Sequence, residues 1–405
     1  MKNTGNSSST CHSSAVNSSV FDASVTHSSA IRPAAKPCGL DDREYVDNNA
    51  VVTPPQGCWR FAWGRPTSKG QSSAYSLLFE QRAVVVNVVL MGALLLASVI
   101  YLSQGSVNIA LGAVLQALFG NADMMASFVV LELRLPRLAA ACFTGAAFAL
   151  AGILMQTLAR NRLATPGIIG IDNGATAFAV ASIVGLGVSI APPAMALAGA
   201  TTAAVLTFGL AAGSGTQGYR FIVAGIGVGA VFGAITQLLL ARVAIDTANA
   251  AYPWTVGSLN ARPSGALQLL TVGLALGLAT ALALARSLTL LRFKDATASG
   301  LGVNVKRRRL EVLLLSVALT GLAVAVAGPV GMVGLIGPEI ARSLSSSRNV
   351  PILAATLAGA LVMVLADLAG RTLLAPIEIP VGIVTAVVGG PWLLWILMRP
   401  QRSFT

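Results

Sequence analysis

From Val84 onward the chain alternates long apolar runs with short polar connections, and most runs match the thickness of a lipid bilayer. They predict spans near 84–103, 136–157, 168–189, 193–212, 219–243, 266–286, 310–328, 332–345, 351–370 and 380–398. The run 332–345 covers only about 21 Å at 1.5 Å per residue, the length of a partial or tilted span. Between the first two spans, 106–119 has amphipathic spacing and is expected to lie along the membrane surface. The fold class that follows is all-α: a polytopic membrane protein of about ten transmembrane helices. The second to fifth and the seventh to tenth spans start in opposite orientations, as in an inverted repeat. Pro166-Gly167 opens one of these spans and Pro380-Val381-Gly382 another.

Residues 1–80 follow no such pattern. They are rich in Ser, Asn, Thr, Pro and Gly, lack helical periodicity, and are expected to form a disordered cytoplasmic N-terminal tail ahead of a transmembrane domain at 81–405. A basic start followed by a short apolar core is missing, so the segment does not read as a signal peptide. Trp59, Phe61 and Trp63 near its end suit a membrane interface.

Composition agrees with the pattern: 55% of the 405 residues are hydrophobic, 10% are charged, and 41 are glycine, which favours close helix packing in lipid. The net charge of +12 would point to nucleic acid in a soluble protein. Here the basic residues cluster between apolar runs without aromatic interleaving, so they set membrane orientation and no nucleic-acid partner is expected. One set of alternate connections holds Arg82, Arg160, Arg162, Arg220, Arg286, Arg292, Lys294, the run 306–309, Arg342, Arg348, Arg399 and Arg402. The opposite set holds only Arg134, Arg137, Arg242, Arg262 and Arg371. The richer side is cytoplasmic, which places both termini inside a multi-pass protein of the cytoplasmic membrane.

Several chemistries are excluded. His12 and His27 lie in the tail, as do Cys11, Cys38 and Cys58, and no cysteine pair has C-x-x-C spacing, so no metal site is expected. None of the five lysines completes a P-loop ending, so ATP hydrolysis by that route is not available to this chain. A membrane enzyme would need clustered His, Asp, Glu or Cys, and an ion-coupled secondary transporter would need ionisable groups at mid-span. The spans offer almost none.

Four ordered blocks carry a family signal. The first is Arg134-Leu-Pro-Arg137 leading to Gly145 and Gly152; the second is Asn161-Arg-Leu-Ala-Thr-Pro-Gly with Gly170-Ile-Asp-Asn-Gly. The third is Gly328-Pro-Val-Gly-Met-Val-Gly-Leu-Ile-Gly-Pro-Glu-Ile-Ala-Arg342. The fourth is Ala366-Asp-Leu-Ala-Gly-Arg371, followed by Ile379-Pro-Val-Gly-Ile and Gly389-Gly-Pro391. Over about 84–398 the chain resembles the FecCD-type permeases of ABC importers for ferric siderophores, haem or vitamin B12. The resemblance implies a non-enzymatic permease that binds no cofactor, paired with a second permease subunit and served by a separate ATP-hydrolysing cassette subunit and a substrate-binding (lipo)protein. A ferric siderophore is the expected cargo, with vitamin B12 or haem as alternatives within the family.

The resemblance also implies site roles. Outer arginines of the family receive carboxylates of the binding protein, which here maps to Arg134, Arg137 and Arg371. Guanidinium–carboxylate geometry suits such docking, with interfacial snorkelling as the plain alternative and Asp367 as an internal partner for Arg371. The cytoplasmic gate maps to Asn161, Leu163 and Pro166, at a break that proline forces. The loop 287–309, with short helices expected near 294–302, maps to ATPase coupling through Asp295, Ala296, Ser299, Gly300 and Gly302. The basic run 306–309 is read as a topology anchor only. Two positions depart from the family pattern: Arg162 stands where proline is common, and Glu339 where histidine is usual.

Overall fold

The computed structural model describes residues 58–63, 75–105, 109–120, 123–185, 190–211, 219–260, 264–345 and 348–398. Strands β1 (Cys58–Trp63) and β2 (Tyr75–Glu80) pair antiparallel, with Cys58 opposite Glu80, and β2 runs directly into helix α1 (Gln81–Ser103). This one strand pair lies at the end of the 1–80 segment; the other described elements carry the expected all-α membrane fold. The rest of that tail lies outside the described residues.

All ten expected runs are helical. They correspond to α1, α4 (Leu135–Ala159), α5 (Ile171–Val184), α6 (Pro192–Leu210), α7 (Tyr219–Ala241), α9 (Ser264–Ala283), α12 (Val305–Ala327), α13 (Val333–Leu344), α14 (Ile352–Thr372) and α15 (Val381–Met398). Short helices fill the connections: α2 (Leu111–Leu118) where the surface segment was expected, α3 (Met124–Ser127), α8 (Ile245–Val256), α10 (Ala285–Leu291) and α11 (Asp295–Gly300). Among the described residues, seven helices are long and apolar enough to cross a membrane. The shortfall from ten lies in α5, α13 and α15, and α13 has only 12 residues.

Those three helices begin at breaks inside the bundle. A 3-10 turn, Pro166–Ile169, leads into α5; the turn 328–332 separates α12 from α13; Ile379 and Pro380 precede α15. The breaks face one another. Gly257, just after α8, would carry a Cβ 2.5 Å from the Pro329 oxygen, the Gly382 N–H donates to Gly257 O at 3.1 Å, and Ser258 N–H donates to Ala327 O at 2.7 Å. Non-helical backbone survives at membrane depth only where protein or a wet cavity satisfies its polar groups, and these bonds supply that satisfaction. The sequence pattern did not reveal α8, because Pro253 and the mixed composition of 245–256 break the apolar period.

Helix α4 is the hub. In the segment Met124–Ala159, 83% of the apolar window is buried inside the protein, against 11% for α1, whose Val85, Val88, Leu95 and Leu96 are exposed. Its neighbours approach backbone to backbone: a Cβ on Gly152 would overlap the Gly334 carbonyl of α13, and one on Gly145 would overlap the Gly359 carbonyl of α14. Without an apolar driving force between helices in lipid, such close van der Waals packing and cross-helix polar bonds hold them together. Ser316 Oγ donates to Ala151 O at 2.9 Å and Gln156 Nε2 to Gly334 O at 3.3 Å.

Gly152→Val should force α13 away from α4 and destabilise the fold by roughly 1–3 kcal/mol, as overpacking does. Gly92→Ala on α1, with open space around it, should be neutral. Thermal unfolding of the purified protein in detergent compares the two, and equal melting temperatures would refute the hub role.

Candidate docking, gate and coupling sites

The three outer arginines of the sequence reading converge at the N-terminal end of α4. A π-helical segment, Phe128–Arg134, precedes α4 and ends on Arg134. π-Helical turns are rare and recur at functional sites. Arg134 is buried, at 4% exposure, and its Nη1 donates to Leu102 O at 2.6 Å. It thereby satisfies a carbonyl in the last turn of α1 that no intrahelical N–H can reach. Arg371, at the end of α14, donates from Nη2 to Gln104 O at 3.2 Å and lies 4.7 Å from the Tyr101 ring centroid. Gly105 passes between them with φ +159°, and a Cβ there would sit 2.6 Å from Arg371 Nη2 and 2.9 Å from Arg134 Nη2.

Arg137 makes the strongest contacts. Its Nε and Nη2 donate to the two oxygens of Asp367, each at 3.0 Å, and its Nη1 donates to Glu378 Oε2 at 2.9 Å. Tyr101 Oη donates to Asp367 Oδ2 at 2.5 Å. Asp367 is 1% exposed, so its charge is held by a bidentate pair and a phenol. Asp367 was the alternative internal partner for Arg371; the structure gives Asp367 to Arg137 instead, and Arg371 to Gln104 O and the Tyr101 ring of α1. All three arginines line a cavity of about 960 Å³, together with Glu132, Asn260 and Glu378. Tyr101 and Glu378 were missed by the sequence reading. The available signal for Glu378 was that it is the one acid in the connection 371–380, which begins at Arg371.

The residues expected to form the gate and the coupling loop lie at the other end of α4. Arg160 ends the helix in the left-handed region, at φ 50°. Asn161 Oδ1 accepts Leu163 N–H at 2.9 Å, a local bond that holds the turn after α4. Leu163 is half-buried beside Ile336 and Trp392, and Pro166 is buried at the head of the 3-10 turn. The three expected gate residues thus lie within one six-residue break but do not share one surface.

That break is tied to α11. Arg160 Nη2 donates to Asp295 Oδ1 at 2.5 Å, and Arg160 Nε to Leu291 O at 3.0 Å. Arg309 donates to both Asp295 oxygens, at 2.8 and 2.6 Å. The basic run is therefore more than a topology anchor: Arg307 and Arg308 pair with Glu311, while Arg309 reaches back to hold Asp295. The bonds from Arg309, then those from Arg160, hold the Asp295 carboxyl below its usual range. Ala296, Ser299, Gly300 and Gly302 are exposed, and Ala298 alone is buried in α11. Gly302 adopts φ +83°, and a Cβ on Gly300 would meet nothing within 4 Å. The two departures from the family pattern meet here: Arg162 Nη1 lies 3.5 Å from Glu339 Oε1. No group of three or more possible metal ligands occurs among the described residues.

Residues 93–399 match the FecCD transport family. The ferric enterobactin transport system permease protein FepG of Escherichia coli (strain K12) is 35% identical over 80% of this chain and 98% of its own length. The Fe(3+)-citrate import system permease protein YfmE of Bacillus subtilis (strain 168) is 36% identical over 80% of this chain and 98% of its own. The hemin transport system permease protein HmuU of Yersinia pestis is 35% identical over 78% and 97%. Among solved structures, an inward-facing ABC transporter of metal-chelate type matches with TM-score 0.68 and 26% identity, over 78% of this chain and all of that one.

Asp367→Ala should strand the Arg137 guanidinium and cost about 3 kcal/mol, the low end for a broken buried pair, because Glu378 remains; a melting temperature equal to wild type would refute the pairing. The Asp295 contacts follow a simple pH rule. A carboxyl lowered by its partners stabilises above its ordinary range, and the contribution is lost as pH falls through the lowered value. Limited proteolysis of the 287–309 loop should therefore be unchanged between pH 8 and pH 6 in the wild type and faster at both in Asp295→Asn.

Proposed function

We propose a cargo, partners and site roles from one premise: this chain belongs to the FecCD transport family. It is a multi-pass membrane permease subunit of an ABC importer, and ATP hydrolysis resides on a separate subunit. The cargo is a ferric siderophore, a reading supported by relatives named for ferric enterobactin and Fe(3+)-citrate. Haem is the second reading, because a hemin permease is equally similar.

The observation that carries the mechanism is the placement of two arginine-based clusters at opposite ends of α4. The positive-inside rule sets the Arg137 end outside and the Arg160 end in the cytoplasm of a cytoplasmic-membrane protein. A substrate-binding protein lands on Arg134, Arg137 and Arg371 and delivers cargo to a pathway between this chain and a second permease subunit. Arg371 is the arginine best placed for a partner's carboxylate, since one carbonyl and a ring face are its neighbours. Arg134 and Arg137 act mainly by fixing that surface. Asn161, Leu163 and Pro166 gate the cytoplasmic exit. The ATPase docks on α11 through Ala296, Ser299, Gly300 and Gly302, and Asp295 passes its displacement to Arg160 beside the gate. The chain itself binds no cofactor. The inverted repeat relates α4–α7 to α12–α15, supported by the interrupted entries to α5 and α15.

Uptake into proteoliposomes holding the assembled transporter tests this reading. Radiolabelled ferric siderophore should accumulate with ATP, be blocked by vanadate and be insensitive to an uncoupler; accumulation of haem instead would select the second reading. Arg371→Glu should abolish stimulation by the binding protein while leaving the melting temperature near wild type. Gly300→Trp, which meets open space in this chain, should leave stability unchanged and uncouple ATP hydrolysis from uptake; normal coupling would remove α11 from the docking site.

A further inference from the structure

We infer that an arginine-walled cavity at the Arg160 end of α4 is a binding site for a phosphate-bearing anion. The cavity has a volume of about 260 Å³ and is lined by Arg160, Arg162, Arg292 and Arg342, with Gln156 and Asn349. That is below the roughly 300 Å³ at which drug-sized ligand pockets begin, and suits a small head group.

The charge count favours an anion. Among the described residues no carboxylate lines the cavity. Nearby, Glu339 lies 3.5 Å from both Arg162 and Arg342, and Asp295 is shared between Arg160 and Arg309, so two carboxylates serve four arginines. Arg342 Nη1, shielded from solvent, is ion-paired with Glu339 Oε2 at 3.5 Å but forms no hydrogen bond, which leaves that donor open to an oxyanion. Helix α14 starts at the rim, at Val350 and Pro351, and presents the positive end of its dipole; the C-terminal turn of α4 at Gln156 and Thr157 offsets it, so the arginines decide the sign. Guanidinium forks match phosphate oxygens two at a time. A lipid phosphodiester from the inner leaflet and free phosphate offer the same oxygens.

The test uses the assembled transporter with its ATPase. In one arm it is held in nanodiscs of phosphatidylcholine with phosphatidylglycerol, and native mass spectrometry reads retained phosphatidylglycerol. In the other, the transporter is held in dodecyl maltoside, which carries no phosphate, and retention of radiolabelled inorganic phosphate is measured. One phosphate-bearing species per permease chain is expected in at least one arm: the first alone identifies a lipid head group, while the second shows that free phosphate suffices. Arg292→Gln with Arg342→Gln should lower retention at least about tenfold, as lost charged hydrogen bonds imply. Arg162→Gln, at a half-exposed residue on which the fold does not lean, should lower it too. Arg286→Gln, outside the cavity, should not. No retention by the wild type, equal retention by all variants, or retention only after the ATPase is removed would overturn the site.

Discussion

The fold depends on how closely other backbones can approach α4. A helix buried on most of its surface in a lipid-soluble protein cannot be held by expulsion of apolar surface from water alone. It is held because Gly145 and Gly152 leave room for the carbonyls of Gly359 and Gly334 to touch its backbone, and because Gln156 and Ser316 bond across the seams. The positions of α13 and α14 follow from those contacts. So does the meeting of Asp367 on α14 with Arg137 on α4, and of Glu339 and Arg342 on α13 with the turn that follows α4.

Much of this was legible in the residues. Apolar period located every long helix, and Pro-Gly pairs located the breaks before α5 and α15. The spacing of charged residues placed Arg134, Arg137 and Arg371 at one end of α4 and Arg160 and Arg162 at the other. Pairing was less legible. In a linear reading Arg371, one helical turn from Asp367, is the obvious partner and Arg137 lies 230 residues away; only the rotation of α14 against α4 assigns the carboxylate to Arg137. Helix α8 and the β1–β2 pair were invisible for a related reason: their stability comes from tertiary contacts and strand pairing rather than from local period. Arg309 was misjudged because a basic run near a membrane has an orientation role that masks any individual contact.

Positions that break the family pattern also explain each other. Arg162 and Glu339 are 177 residues apart in sequence and meet at 3.5 Å, with Arg342 at the same distance from the same carboxylate. An arginine in place of proline frees one backbone restraint at the break and adds a charge, and the neighbouring glutamate neutralises part of it. The rest of the excess positive charge is what gives the adjoining cavity its character.

Asp295 has a further consequence. It is half exposed, yet it is the meeting point of Arg160 from the end of α4 and Arg309 from the start of α12. Exposed ion pairs add little net stability, because solvent competes for every partner. Under the proposed coupling role this weakness makes the contact a latch rather than a weld. It can align α11 with the gate turn in one state and part in the next without a large barrier, so the joint resets on every turnover and does not trap the transporter in a single conformation.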